Sequence, residues 1–317
     1  MKTCFWVLLC GLPLAAQPPD GSAILADADS RAYYLYAGSG AEVLAFKSKD
    51  LVHWDPPATA FRVPAGWASP AQGARDPRVY AYRGKYYLVV TLGNAANIIA
   101  KPPDSWRTIT MQGVQLFVAE SPAGPFAPIT GAADKPQTHE TFVASNGSLF
   151  VEGDIAWLIY AHDWTQMVDA SIEAVHLKAD LSTPAEDAIY LFKGSDAPWF
   201  PLQTAAEKNP RYYPAASPCM WRAPGGALLL AWSAPKNGKP TVALARSVTG
   251  KVRGPWKQTG ATLLDDAAQP TIFQAFDGRL LLMTADGKTS KFTVLEEAGG
   301  ALRVKAAATP AKKGAAR

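Results

Sequence analysis

Apolar residues in this chain come in runs of about five to eight, bracketed by Gly, Pro, Asp or Asn, and no segment beyond about ten residues keeps a helical period. The stretch 74–92, ARDPRVYAYRGKYYLVVTL, shows the unit: an acid-proline pair, a short apolar strand, a turn at Arg83-Gly84, then a stronger apolar strand. Four further copies follow the same plan. Asp20-Gly21 precedes SAILADADSRAYYLYAGS, and Asn146-Gly147 opens SLFVEGDIAWLIYAHD. Ser217-Pro218 opens CMWRAPGGALLLAWSA, and Gln269-Pro270 opens TIFQAFDGRLLLMTAD. A third strand signal trails each pair, and three of these end at a bulky ring in a turn context (Trp54, Phe126, Trp256). Starts lying roughly 50 to 70 residues apart suit a four-stranded blade with its loops. The pattern therefore predicts an all-β chain: a single five-bladed β-propeller of antiparallel blades over residues 17–297. First strands should surround the axis, with the residues just before them at one mouth. A two-sheet sandwich is the alternative, and five matched units fit it poorly.

Composition adjusts this picture at the two ends. Residues 1–16 carry Lys2, an apolar run from Phe5 to Leu14 and Ala15-Ala16. That is the layout of a secretory signal peptide, with an uncleaved anchor as the alternative. A secreted or periplasmic protein is expected, free of the membrane once the segment is cut. Cys4 and Cys10 fall within that segment, so only Cys219 is left and no internal disulfide or cysteine metal site is expected. The formal charge of +4 is concentrated at the other end. Arg303, Lys305, Lys312, Lys313 and Arg317 lie in residues 298–317, which hold no acid. The body is close to neutral, which argues against a nucleic-acid partner. Residues 298–317 read as a disordered basic tail.

The motifs YYLYAGS, SKDLVHW, GKYYLVVT, SPAGPF, NGSLFVE, SDAPW and GPW occur in this order. Together they resemble glycoside hydrolase family 43, over roughly residues 20 to 297. SKDLVHW and Arg75-Asp76-Pro77 are shared with an invertase-like family, but the later motifs favour family 43. The resemblance implies a five-bladed propeller acting on arabinose- and xylose-containing polysaccharides, as a monomer with carbohydrate as its partner. It implies inversion, in which one carboxylate activates water while a carboxylic acid roughly 6.5–9.5 Å away protonates the leaving oxygen. A third carboxylate tunes the acid. It further implies these three acids at the starts of blades one, three and four. Here the blade-one acid falls opposite Gly21-Ser22 unless Asp20 is shifted into place, the tuning position is Asn146, and the acid position is Ala216. A family histidine near a bound cation corresponds to Gln269.

The candidate catalytic residues are thus Asp20 and Asp76, the latter being the one acid firmly at a blade start. Candidate substrate contacts are Arg75, Asn146, His162, Asp163, Trp164, Trp199, Tyr213 and Gln269. An acid beside an aromatic ring can bond sugar hydroxyls while the ring stacks on the sugar's apolar face. Tyr212 is a further aromatic near the mouth, and Glu140 stands in the loop entering blade three. Asp76 could equally bond neighbouring backbone, and His162 could equally be packed between blades. The histidines, at 53, 139, 162 and 176, show no zinc spacing, and neither metal nor cofactor is expected. Two functions follow: a glycosidase with weak or altered hydrolysis, or a non-catalytic propeller that binds carbohydrate at the same mouth.

Overall fold

A computed structural model describes residues 21–101, 108–201, 211–285, 287 and 289–306. Every copy of the repeat forms one four-stranded antiparallel sheet whose strands lie in chain order. Blade one is β1 (Ala23–Asp27), β2 (Ala32–Ser39), β3 (Glu42–Ser48) and β4 (Ala58–Arg62). Blade two is β5 (Arg75–Tyr82), β6 (Lys85–Ala100), β7 (Ile109–Ala119) and β8 (Ala127–Pro128). Blade three is β9 (Ala144–Glu152), β10 (Ile155–His162), β11 (Ser171–Leu177) and β12 (Ile189–Lys193), with a single-turn helix α1 (Trp164–Met167) after β10. Blade four is β13 (Ala216–Arg222), β14 (Leu228–Lys236), β15 (Lys239–Ser247) and β16 (Trp256–Asp265). Blade five is β17 (Ala268–Gln274), β18 (Leu280–Ala285), β19 (Ser290–Ala298) and β20 (Ala301–Val304). The inner strands contact one another in sequence, and β17 returns to β1 to close the ring.

The second strand of each blade reads as a nearly unbroken apolar run because blades cover it on both faces, so it has no solvent side to mark with polar residues. Leu35, Leu88, Leu158, Leu230 and Leu282 occupy the same place in the five second strands, and all are fully buried. Burying one such side chain stabilises the fold by about 1.5–3 kcal/mol. The core is divided among the five gaps between blades. Tyr36, Leu88 and Phe117 pack in the gap between blades one and two, and Trp157, Trp232 and Phe192 in that between three and four.

The C-terminal end departs from the sequence reading. Residues 298–317 are not wholly a tail, since β20 is the outer strand of blade five, paired with β19 from Leu295↔Val304 to Ala298↔Ala301. An outer strand needs to bury only one face, and Leu302, 6% exposed, is enough to seat it against the core between blades four and five. Residues 307–317, the segment 1–16 and Asp20 lie outside the described residues. Cys219 is a buried free thiol on β13.

Candidate active site

In blades two to five the repeat places one residue at the head of the inner strand in an unusual conformation. Asp76, Asn146, Ser217 and Gln269 have φ of 51°, 54°, 50° and 53°, a left-handed region that costs a non-glycine residue roughly 1–3 kcal/mol. Each stands beside a break in strand register, between Arg75 and Arg78, Ser145 and Ser148, Ala216 and Cys219, and Ala268 and Thr271. Such bulges re-aim a side chain that regular alternation would turn elsewhere. Each also lies three residues before the partner of the buried second-strand leucine, as Val79↔Leu88, Leu149↔Leu158, Met220↔Leu230 and Ile272↔Leu282 show. The same offset from Ile24↔Leu35 lands on Gly21.

Hydrogen bonding supports that register. The backbone N–H groups of Asn146, Gln269 and Gly21 donate to Thr91 Oγ1 (3.0 Å), Ser233 Oγ (3.1 Å) and Ser290 Oγ (3.1 Å), hydroxyls of the preceding blade. Blade one therefore brings Gly21 to the axial position. In blade four the axial residue is Ser217, with Ala216 immediately before it. Gly147 is required beside Asn146, because a Cβ there would stand 2.4 Å from Val114 Cγ1 and 2.7 Å from Val89 Cγ1.

Asp76 is the acid that this ring delivers. Burial raises its pKa above the ordinary carboxylate range, against the pull of Arg75 and Arg78 and of hydrogen bonds from Thr91 and Asn146. Gln269 Nε2 faces its Oδ1 at 3.4 Å. Arg78, 2% exposed, crosses the channel to donate from Nη1 to the Pro270 carbonyl of blade five at 3.2 Å. Arg75 is exposed and donates from Nη2 to Gln112 Oε1 at 2.5 Å, while Gln112 Nε2 reaches the Ala144 carbonyl of blade three at 3.5 Å. The position that the family resemblance assigns to a histidine near a bound cation holds Gln269, whose amide nitrogen is turned to Asp76. With a guanidinium already in the channel, these residues do not fit a cation there. Among the described residues no group of three or more His, Cys, Asp or Glu side chains is arranged to hold a metal.

The remaining predicted contacts divide. His162 is 3% exposed, with Nε2 at 2.9 Å from Gln166 Oε1 and Nδ1 at 3.1 Å from Glu173 Oε1. Its ring stacks on Phe142 at 4.2 Å, so the buried imidazole is packed among protein groups, as the packing alternative has it. Glu173 completes the knot. Burial pushes its carboxyl up, but hydrogen bonds from His162, Ser171 and Tyr160 outweigh that and hold it below its ordinary value. Asp163 caps α1 by accepting from Thr165 N at 2.7 Å. Trp164 meets Tyr212 edge-on at 5.2 Å, both half-buried.

Trp199 donates from Nε1 to the Pro235 carbonyl at 3.0 Å and lies nearly parallel to Trp232, with the Lys236 ammonium 5.9 Å from its ring centre. Tyr213 is buried and donates to the Pro201 carbonyl at 3.2 Å. Glu140 is exposed and lines a groove of about 280 Å³ with His139, Tyr160 and Glu186, apart from the axial residues. Sequence reasoning missed Arg78, Thr91, Gln112 and Glu173. Only Arg78 had a local signal, two residues into a blade start; the others meet the site through pairing across strands and blades.

Comparison with known proteins bears on this arrangement. A family model described as "Glycosyl hydrolases family 43" matches residues 13–290. The chain is similar to the solved structure of an endo-arabinase from Bacteroides thetaiotaomicron VPI-5482, at 29% identity and a TM-score of 0.76, over 91% of this chain and 96% of that one. It is also similar to an endo-1,4-beta-xylanase from the same organism, at 19% identity and a TM-score of 0.69, over 92% and 96% of the two chains. An alpha-L-arabinanase from Cellvibrio cellulosa, solved with arabinohexaose, aligns at 16% identity and a TM-score of 0.64, over 91% and 96%. The latter two speak to the fold alone. No curated protein matches the chain.

Proposed function

The chain belongs to glycosyl hydrolases family 43, and from that membership we propose that it acts on arabinose- or xylose-containing polysaccharide or oligosaccharide with weak or altered hydrolysis. The N-terminal segment supports action outside the cytoplasm. Similarity to the endo-arabinase, at 29% identity over nearly the whole of both chains, supports the sugar class. One observation carries the altered chemistry: Asp76 is the sole carboxylate among the described residues at the axial positions, while Gly21, Asn146 and Ala216 stand where the family resemblance expects base, tuning acid and general acid.

Inverting hydrolysis needs a base on one face of the sugar and an acid on the other. Asp76, flanked by amide and hydroxyl donors, is the group placed to accept a proton from water. Ala216 has nothing to give the leaving oxygen, so departure depends on the leaving group's own acidity. General acid catalysis commonly contributes about 10²–10⁴-fold, and that is the deficit expected on natural linkages.

A series of aryl arabinofuranosides and xylosides tests this reading. Rates should fall steeply as the phenol becomes less acidic. Ala216→Glu should flatten the dependence and raise activity on natural linkages, and more so combined with Asn146→Asp, which restores a charge to tune the new acid. Cleavage of arabinan or xylan at ordinary glycosidase rates by an Asp76→Asn protein would overturn it. The second reading, a non-catalytic carbohydrate-binding propeller, rests on the same neutral positions. It is favoured if the sugars bind and no aryl glycoside turns over.

A further inference from the structure

Among the described residues the charge at the axial ring differs in sign from what paired-carboxylate catalysis leaves. At the five axial positions, Gly21, Asp76, Asn146, Ser217 and Gln269, the single charge is Asp76. At the described positions just before them, Arg75, Ser145, Ala216 and Ala268, the single charge is Arg75. Arg78 lies two residues deeper with its guanidinium in the channel. Among the described residues of this ring, two cations thus face one anion.

Arg75 acts on Asp76 electrostatically without forming a contact salt bridge. Among the described residues its one hydrogen bond is to the neutral Gln112, and no carboxylate lies within ion-pairing distance of it. That bond uses a single hydrogen of Nη2, so the second Nη2 hydrogen, together with the Nε or Nη1 hydrogen beside it, stays available as the planar fork that matches a carboxylate with two parallel bonds. Gln112, braced on the Ala144 carbonyl of the next blade, fixes the fork's direction. The half-buried alanines 216 and 268 hold the corresponding positions of blades four and five and place no bulk there.

We propose that this mouth selects carbohydrate carrying a hexuronate carboxylate on or beside the residue presented to Asp76, with Arg75 as the specificity-determining group. The inference rests on the glycoside hydrolase family 43 reading of the same mouth and narrows its substrate class to acidic glycans. Binding of the full chain to oligosaccharides of glucuronoxylan and of polygalacturonate, each in free-acid and carboxyl-reduced form, tests it by calorimetry. The free-acid form of at least one polymer should bind about tenfold or more tightly at low salt, and the polymer that shows the difference identifies the source of the carboxylate. That advantage should shrink as salt rises and disappear in Arg75→Gln.

Equal affinity for free-acid and reduced forms of both polymers overturns the proposal, and this comparison needs only the unaltered protein. Cleavage of neutral arabinan or xylan oligosaccharides without an acid preference leaves the family reading standing and removes this one. An acid preference without cleavage of any linkage does the reverse.

Discussion

At Asp76 the burial that lifts the carboxyl out of its ordinary range also opposes folding whenever the group is ionised. The folded protein releases this proton at a higher pH than the unfolded chain. Stability is therefore fully present below the ordinary aspartate value and declines as pH rises through the raised one. Asp76→Asn removes that penalty and keeps a side-chain oxygen for the Gln269 amide, so at pH 7 its melting temperature should equal or exceed that of the unaltered protein. Hydrolysis of activated aryl glycosides should be lost in the same variant. In the unaltered protein the rate should fall as acidification passes the raised pKa, at a higher pH than a free aspartate would give. A thermal melt and a pH–rate profile check both, and a variant less stable by several degrees would show that Asp76 holds the axis together. His162 illustrates the opposite outcome. Next to Asp163 and Trp164 in sequence it reads as part of a sugar-gripping trio, yet its partners Glu173 and Gln166 come from the next strand and from α1. No local pattern announces a buried knot of that kind.

The inner strands show how an element can be legible while its register is not. Short apolar runs and a Pro or Gly at each head were enough to locate β1, β5, β9, β13 and β17, and in blades two to five those residues sit at a repeated bulge. The left-handed residue itself needed strand pairing to be placed. Only the pairing distinguishes Ser217 from Ala216, a one-residue difference that decides which side chain reaches the axis. The outermost strand of blade five was illegible for another reason. Four residues with one buried leucine resemble the polar, alanine-rich sequence that follows them. Leu302 gives the test. Removing residues 307–317 should leave the melting temperature unchanged, whereas ending the chain at Gly300 should lower it by several degrees. Leu302→Ala alone should cost about 2–5 kcal/mol in denaturant unfolding. A chain ending at Gly300 that melts with the full-length protein would mean that β20 contributes nothing to blade five.

Across the whole molecule, five similar sheets in chain order leave one junction unlike the others. The four gaps from blade one to blade five are each crossed by the polypeptide, but among the described residues the gap between blades five and one is closed by non-covalent contacts alone. It contains Leu35, Ile24, Phe273, Leu281 and Met283. Tyr33 reaches across it, stacking near Phe276 with ring centres 4.7 Å apart and accepting a hydrogen bond from the Phe276 amide at 2.9 Å through its hydroxyl. Separating two blades joined by the chain gains little freedom, because the linker still holds them together. Separating blades five and one turns a closed ring into an open arc and releases both, so this seam should be the first part of the structure to open. Hydrogen exchange under mildly destabilising conditions should then show the Phe276 amide and the pairs β1–β2 and β17–β18 losing protection before β9–β10. Tyr33→Phe, which deletes the hydroxyl acceptor and keeps the ring, should accelerate exchange at Phe276 by roughly the fivefold that a net hydrogen bond of about 1 kcal/mol allows, while leaving β9–β10 unchanged. Uniform exchange across all five blades, or earlier loss in blade three, would mean that the ring opens elsewhere and that the seam is as strong as the connected gaps.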